Sequence, residues 1–169
     1  MGKLRYGQTK YDIRMYTNET EALIKTLKEH GPFHKALEIG IAGGWTTKYI
    51  REHVDIIDTV TVDNGGRSNY FEAFDRKSNN FTEILGDSKD PEIIKQITSN
   101  GPYDLIGIDG EHTEEAATLD LSHATAGTLV WMHDLRACEG VRRVWEKATK
   151  GKEIVLKPIG TLGIGAFIF

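Results

Sequence analysis

Four aspartates stand at places where their chemistry would be shared. Asp63, Asp87, Asp109 and Asp134 close the apolar runs "DTVTVD", "FTEILGD", "YDLIGID" and "GTLVWMHD". A fifth run, "KALEIGI", breaks into the glycine turn of Gly40, Gly43 and Gly44. If these runs are parallel strands, their ends lie along one edge, beside the crevice where open α/β sheets bind ligands. Any one of the aspartates could merely order a turn or cap a helix. Four together, beside a glycine turn, point to a ligand with positive charge or many hydroxyl donors, or to a metal. Asp63 lies 20 residues after Gly43, the distance at which an acidic residue meets ribose hydroxyls in nucleotide-binding βαβ units. Its two oxygens suit a vicinal diol. The glycine spacing is not the G-x-G-x-x-G that cradles a pyrophosphate.

The elements that must position these residues follow from periodicity. "NETEALIKTLKEHG" reads as a helix with Asn18 as N-cap, Glu21 three residues on, and Leu23, Ile24 and Leu27 as its apolar stripe. Beyond Gly31 and Pro32, strand and helix patterns alternate. Helices are expected at "GWTTKYIREHV", "NYFEAFDRK", "DPEIIKQITSN", "EEAATLDLSHATA" and "CEGVRRVWEKATK". The strands are near-continuous apolar runs, as a sheet covered on both faces requires. Strands alternating with helices imply right-handed crossovers and a doubly wound α/β sheet. The final runs, "KEIVLKP" and "LGIGAFIF", are joined by too few residues for a parallel crossover. The last of about seven strands must therefore run antiparallel.

Composition narrows the class of molecule. The 169 residues suffice for one domain with its own core. A net charge of −4 argues against a nucleic-acid partner. Cys138 is the only cysteine, so no internal disulfide can form, and a cytoplasmic location is the simplest expectation. The polar start "MGKLRYGQTK" lacks the apolar core of a signal peptide, and no run is long enough to span a membrane. Residues 1–17 carry aromatics without a period and are expected to be a lid or a tail.

Taken together, "LEIGIAGG", "TVD", "GDS", "DLIGIDGEH" and "LVWMHD" resemble the class I S-adenosylmethionine-dependent methyltransferases, over roughly residues 35 to 135. Among these the chain is similar to small-molecule O-methyltransferases whose fourth strand ends in D-G-x-H, and to the metal-dependent catechol-type enzymes. The resemblance implies a Rossmann-like sheet with its last strand reversed. It also implies that Gly40, Ile41, Gly43 and Gly44 face the methionine part of the cofactor, with Glu38 ordering that loop. Asp63 and Asn64 would hold the ribose, and Asp87 and Ser88 the adenine. Asp109 would border both cofactor and chemistry.

In the catechol-type pattern three metal ligands come from the ends of the fourth and fifth strands, as D-x-x-K and D-N. Here the corresponding residues are Asp109 and the pair His133 and Asp134, with His112 in place of the lysine base. A histidine among the ligands makes Mg²⁺ less comfortable and favours a transition metal, which accepts imidazole; the expected ion is Mg²⁺, Mn²⁺ or another transition metal. A histidine base suits proton removal near neutral pH. The expected acceptor is a small hydroxylated molecule. With no cap insertion, its pocket would be completed by residues 1–17 or by a neighbouring subunit of a homo-oligomer.

The competing readings are a non-catalytic cofactor-binding domain, an NAD-linked oxidoreductase and a metal-dependent hydroxylase-type relative. The missing dinucleotide motif disfavours the oxidoreductase. Trp45 could flank the ligand or pack in the core, while Trp131 and Trp145 read as core. Cys138 opens a helix with no base near it in sequence and reads as structural. His30, His34, His53 and His123 have no motif context and read as surface residues.

Overall fold

A computed structural model describes residues 15–65 and 80–169. The expected helix "NYFEAFDRK" and nearly all of the lid or tail lie outside the described residues. The elements run α1 (Thr17–His30), β1 (Phe33–Ile39), α2 (Trp45–His53), β2 (Ile56–Asp63), β3 (Phe81–Leu85), α3 (Pro91–Asn100), β4 (Leu105–Ile108), α4 (Glu114–Leu121), β5 (Leu129–Met132), α5 (Glu139–Ala148), β6 (Ile154–Ile159) and β7 (Ile164–Ile168).

The seven strands form one sheet in the order β3-β2-β1-β4-β5-β7-β6. The pairings among β1 to β5 are parallel, and β7 runs antiparallel to both β5 and β6. The doubly wound sheet with a reversed last strand is thus the observed fold. Successive strand residues point to opposite faces, and each face has its own core. Leu37, Ile39, Ile106, Ile108, Val130 and Met132 pack against α3, α4 and α5. Ala36, Leu105, Leu129 and Trp131 face the other way, where α1 and α2 cover them.

Three boundaries differ from expectation. The α1 helix starts at Thr17 with Tyr16 as N-cap, so Asn18 and Glu21 do not form the cap. Glu19 does, accepting the Tyr16 amide at 3.0 Å. The strands β3, β4 and β5 end one or two residues before Asp87, Asp109 and Asp134, which stand in the loops just beyond the edge. The α4 helix ends at Leu121, and Gly127 then turns the chain with φ +92°. No described helix is long and apolar enough to cross a membrane.

Candidate active site

The loops after β1 to β5 wall a cleft of about 690 Å³ on one edge of the sheet, within the size range of small-molecule sites. Gly40, Ile41 and Gly43 line it, with Asp63 and Asn64, Asp87 and Ser88, Asp109 and His112, and His133 and Asp134. Glu38 and Gly44 do not reach its wall. Gly40 is needed for more than approach to a ligand. At φ +85°, a Cβ there would lie 2.2 Å from the Asp109 carbonyl oxygen. The turn after β1 therefore rests directly on the backbone after β4. Trp45 is half-buried and lines the cleft, whereas Trp131 and Trp145 lie in the core.

The β1–β2–β3 side is held by main chain. Both Asp63 oxygens accept backbone amides, from Ala42 and from Gly65, each at 2.9 Å. Asp87 accepts the Lys89 amide at 2.9 Å; Asp90, not Asp87, caps α3. Beneath the turn, Glu38 is buried beside Thr47. Burial pushes its carboxyl up to about 8; the Thr47 hydroxyl works against that rise and the charge of Asp109 adds to it.

The β4–β5 side is held by side chains. His133 Nδ1 lies 3.2 Å from Asp109 Oδ1 and 3.6 Å from Asp134 Oδ2. His112 Nε2 lies 3.0 Å from Asp134 Oδ2 and 3.8 Å from Asp109 Oδ1. Asp134 occupies the left-handed region at φ +58°, a conformation Asp tolerates better than most residues. Burial opposes charge on His133, but Asp109 and Glu19 outweigh it and raise the ring to about 10. Asp109, then Asp134, raise His112 to about 10 as well. Burial would push Asp109 up, yet the two histidines hold its carboxyl below the usual value. The resting cluster is therefore two imidazoliums among carboxylates. Asp109, His133 and Asp134 present ligand atoms that all lie within 4.8 Å of one another, a set that fits a divalent cation once His133 yields its proton.

Two members of this region have no role in the motif pattern. Glu19 on α1 is fully buried, with Oε2 3.6 Å from His133 Nε2. Its Oε1 accepts the Leu162 and Gly163 amides at 2.9 and 3.0 Å, tying α1 to the β6–β7 turn. A signal for it exists in the sequence: Glu19, Leu23 and Leu27 recur every four residues, so the acid lies in the apolar stripe. Cys138 is the second, since the fold brings its sulfur to His112 and Asp134. It has a base beside it after all. Of the four histidines without motif context, His30, His34 and His53 are exposed. His123 is half-buried, with Nε2 lacking a hydrogen-bond partner.

A family model described as a methyltransferase domain matches residues 37–135. No curated protein matches the sequence. Among solved structures, the O-methyltransferase from Bacillus cereus in complex with SAH is 19% identical, with a TM-score of 0.65 over 95% of this chain and 84% of that one. The O-methyltransferase TomG from Streptomyces achromogenes, involved in tomaymycin synthesis and in complex with SAM, is 18% identical, with a TM-score of 0.62 over 92% and 80%. The N-methyltransferase NodS from Bradyrhizobium japonicum in complex with SAH is 15% identical, with a TM-score of 0.60 over 89% and 85%. At these identities the likeness establishes a shared fold.

Proposed function

The chain belongs to the methyltransferase-domain family, and we propose that it transfers the methyl group of S-adenosylmethionine to a hydroxyl of a small molecule. The observation that carries this reading is the charge of the cleft. Its described lining includes five carboxylates, Asp63, Asp87, Asp109, Glu111 and Asp134, against two imidazoliums, His112 and His133, and no lysine or arginine, so negative charge predominates. Such a wall repels a pyrophosphate and attracts a cationic sulfonium.

When bound, S-adenosylmethionine supplies a methyl group already attached to a good leaving group, so the protein's work is alignment and proton removal. In this reading the Gly40–Gly44 turn, ordered from below by Glu38, holds the amino-acid part. The α2 N-terminus follows that turn and favours the carboxylate there. Asp63 and Asn64 receive the ribose, and Asp87 and Ser88 the adenine. His112, partly exposed at the opposite wall, takes the acceptor proton at Nδ1, the ring nitrogen that does not face Asp134. It can do so only after shedding its own. A second positive charge in the cleft disfavours the imidazolium and frees that nitrogen. Asp109, His133 and Asp134 would hold a divalent cation, and imidazole among them favours a transition metal over Mg²⁺. Such a cation would lower the hydroxyl pKa of the acceptor. In this reading the molecule is a single-domain cytoplasmic enzyme, and a second subunit of a homo-oligomer would complete its acceptor pocket.

Calorimetry tests the cofactor. S-adenosylmethionine and its demethylated product should bind, with NAD silent; binding of NAD, or of neither, overturns the reading. A screen of hydroxylated metabolites then identifies the acceptor. With that acceptor, His112→Ala should lower turnover by about 10²–10⁴-fold and leave cofactor affinity unchanged.

A further inference from the structure

We propose that His112, Asp134 and Cys138 form a second cation site, one that takes a zinc-type divalent metal through a thiolate. It is distinct in chemistry from the oxygen-rich trio of Asp109, His133 and Asp134, with which it shares only Asp134. The ligand atoms of the three residues lie within 4.8 Å of one another, and His112 Nε2 is already 3.0 Å from Asp134 Oδ2. Bonds of about 2.0–2.3 Å in a tetrahedron place donor atoms roughly 3.3–3.7 Å apart. A modest swing of the His112 ring, which is 41% exposed, closes that difference.

The backbone is built for this meeting. The Cys138 amide donates to the Asp134 carbonyl at 2.8 Å, and the Ala137 amide to the same oxygen at 3.1 Å. That turn fixes the two side chains relative to each other. Gly140 then brings the start of α5 against the loop that carries His112. A Cβ at Gly140 would lie 2.6 Å from the His112 carbonyl oxygen and 2.7 Å from the Glu114 nitrogen. Any larger residue pushes Cys138 away from His112.

The donor set selects the metal. Sulfur, imidazole and one carboxylate suit Zn²⁺ or Co²⁺, whereas Mg²⁺ and Ca²⁺ seek oxygens. Coordination displaces the thiol proton and the ring proton, both of which leave to solvent. Three protein donors leave the fourth tetrahedral position to water or to a group in the cleft, which His112 and Asp134 line. A metal held here takes His112 out of use as a base, so occupation of this site and proton removal by His112 exclude each other, and Co²⁺ and alkylation readouts test the site without reference to methyl transfer.

Titrating the metal-free full-length protein with Co²⁺ tests the site directly. A sulfur-to-cobalt charge-transfer band in the near ultraviolet and intense tetrahedral visible bands are expected. Cys138→Ser should abolish the charge-transfer band. Asp109→Asn, which removes a ligand of the other trio and none of the three donors of this one, should keep it. His112→Ala should weaken Co²⁺ binding by about tenfold or more, since losing even an outer-shell partner of a ligand costs about that much. As a second readout on the unaltered protein, saturating Zn²⁺ should slow alkylation of Cys138 by about tenfold or more, because a bound thiolate is no longer a free nucleophile. The absence of a thiolate band in the wild type, its survival in Cys138→Ser, or alkylation unaffected by Zn²⁺ would overturn the proposal.

Discussion

The two walls of the cleft carry the same residue type in different company. On the β1–β2–β3 side, Asp63 and Asp87 accept backbone amides. On the β4–β5 side, Asp109 and Asp134 face the rings of His133 and His112. An amide cannot give up its proton, so a carboxylate held by amides is fixed in place and keeps its remaining lone pairs for a ligand. An imidazolium can yield its proton to a cation or to solvent, so a carboxylate held by imidazoles has an exchangeable partner. The first wall is suited to shape and the second to chemistry.

The contrast breaks most visibly at Asp134. Asp134→Ala removes a carboxylate common to the oxygen-rich trio and to His112, and methyl transfer should fall by at least about 10²-fold with cofactor affinity kept. If a cation is part of the chemistry, excess EDTA should mimic the substitution, and Mn²⁺, Co²⁺ or Mg²⁺ should restore turnover. Activity unchanged by EDTA would remove the metal from the mechanism and leave His112 as the base.

Next in size is the support under the chemical wall. Glu19 is buried with His133, and breaking a buried charged pair costs about 3–5 kcal/mol. Glu19→Gln should lower the unfolding free energy by that order in urea titration, with Asp63→Ala as the mild comparison. A loss below about 1 kcal/mol would mean that the Leu162 and Gly163 amides, not the ring, are what Glu19 serves.

Much of this was legible in the chain, and what was hidden has a physical reason. The apolar runs of β1 to β5, the acids just past their ends and the glycine turn are local signals, and they placed the fold and most of the cleft wall. Glu19 was hidden because its partners, His133, Leu162 and Gly163, are brought to it only by the packing of α1 on the sheet. The stripe of Glu19, Leu23 and Leu27 marks the acid as inward-facing but not what it meets. Cys138 was hidden for the same reason, since His112 reaches it across the contact at Gly140. The backbone partners of Asp63 could not be inferred either, because turn amides carry no side-chain signature.

A pH comparison probes the buried side of α4, which neither wall exposes to the cleft. Asp120 on α4 is fully buried, and neither of its oxygens has a hydrogen-bond partner. Burial, reinforced by Asp87 and Glu111 and opposed by Ser88 and Lys89, pushes its carboxyl up to about 6 from 3.8. Below about pH 4 both folded and unfolded chains hold the proton and nothing is lost. As pH rises toward 6 the unfolded chain ionises first, so stability falls, and the loss levels off above that value. Asp120→Asn removes this titration. The stability difference between wild type and variant should shift in favour of the variant by about 2–3 kcal/mol from pH 4 to pH 7.5. Parallel pH profiles of the two proteins would show that Asp120 ionises normally when folded.

The smallest expected effect falls on the wall built for shape. Asp63→Ala deletes the acceptor that orders the Ala42 and Gly65 amides and that would meet the ribose. It should cost about 1–3 kcal/mol of S-adenosylmethionine binding by leaving hydroxyl donors unpaired. Asp63→Asn keeps the shape and one oxygen, and separates the two contributions. If the carboxylate serves only the turn, S-adenosylmethionine should lose no more affinity in either variant than a ligand lacking ribose hydroxyls. If it meets the ribose, the loss in both variants should shrink for a deoxyribose analogue. Calorimetry with both ligands on both variants distinguishes the outcomes, and equal binding to wild type and Asp63→Ala would take Asp63 out of the cofactor site.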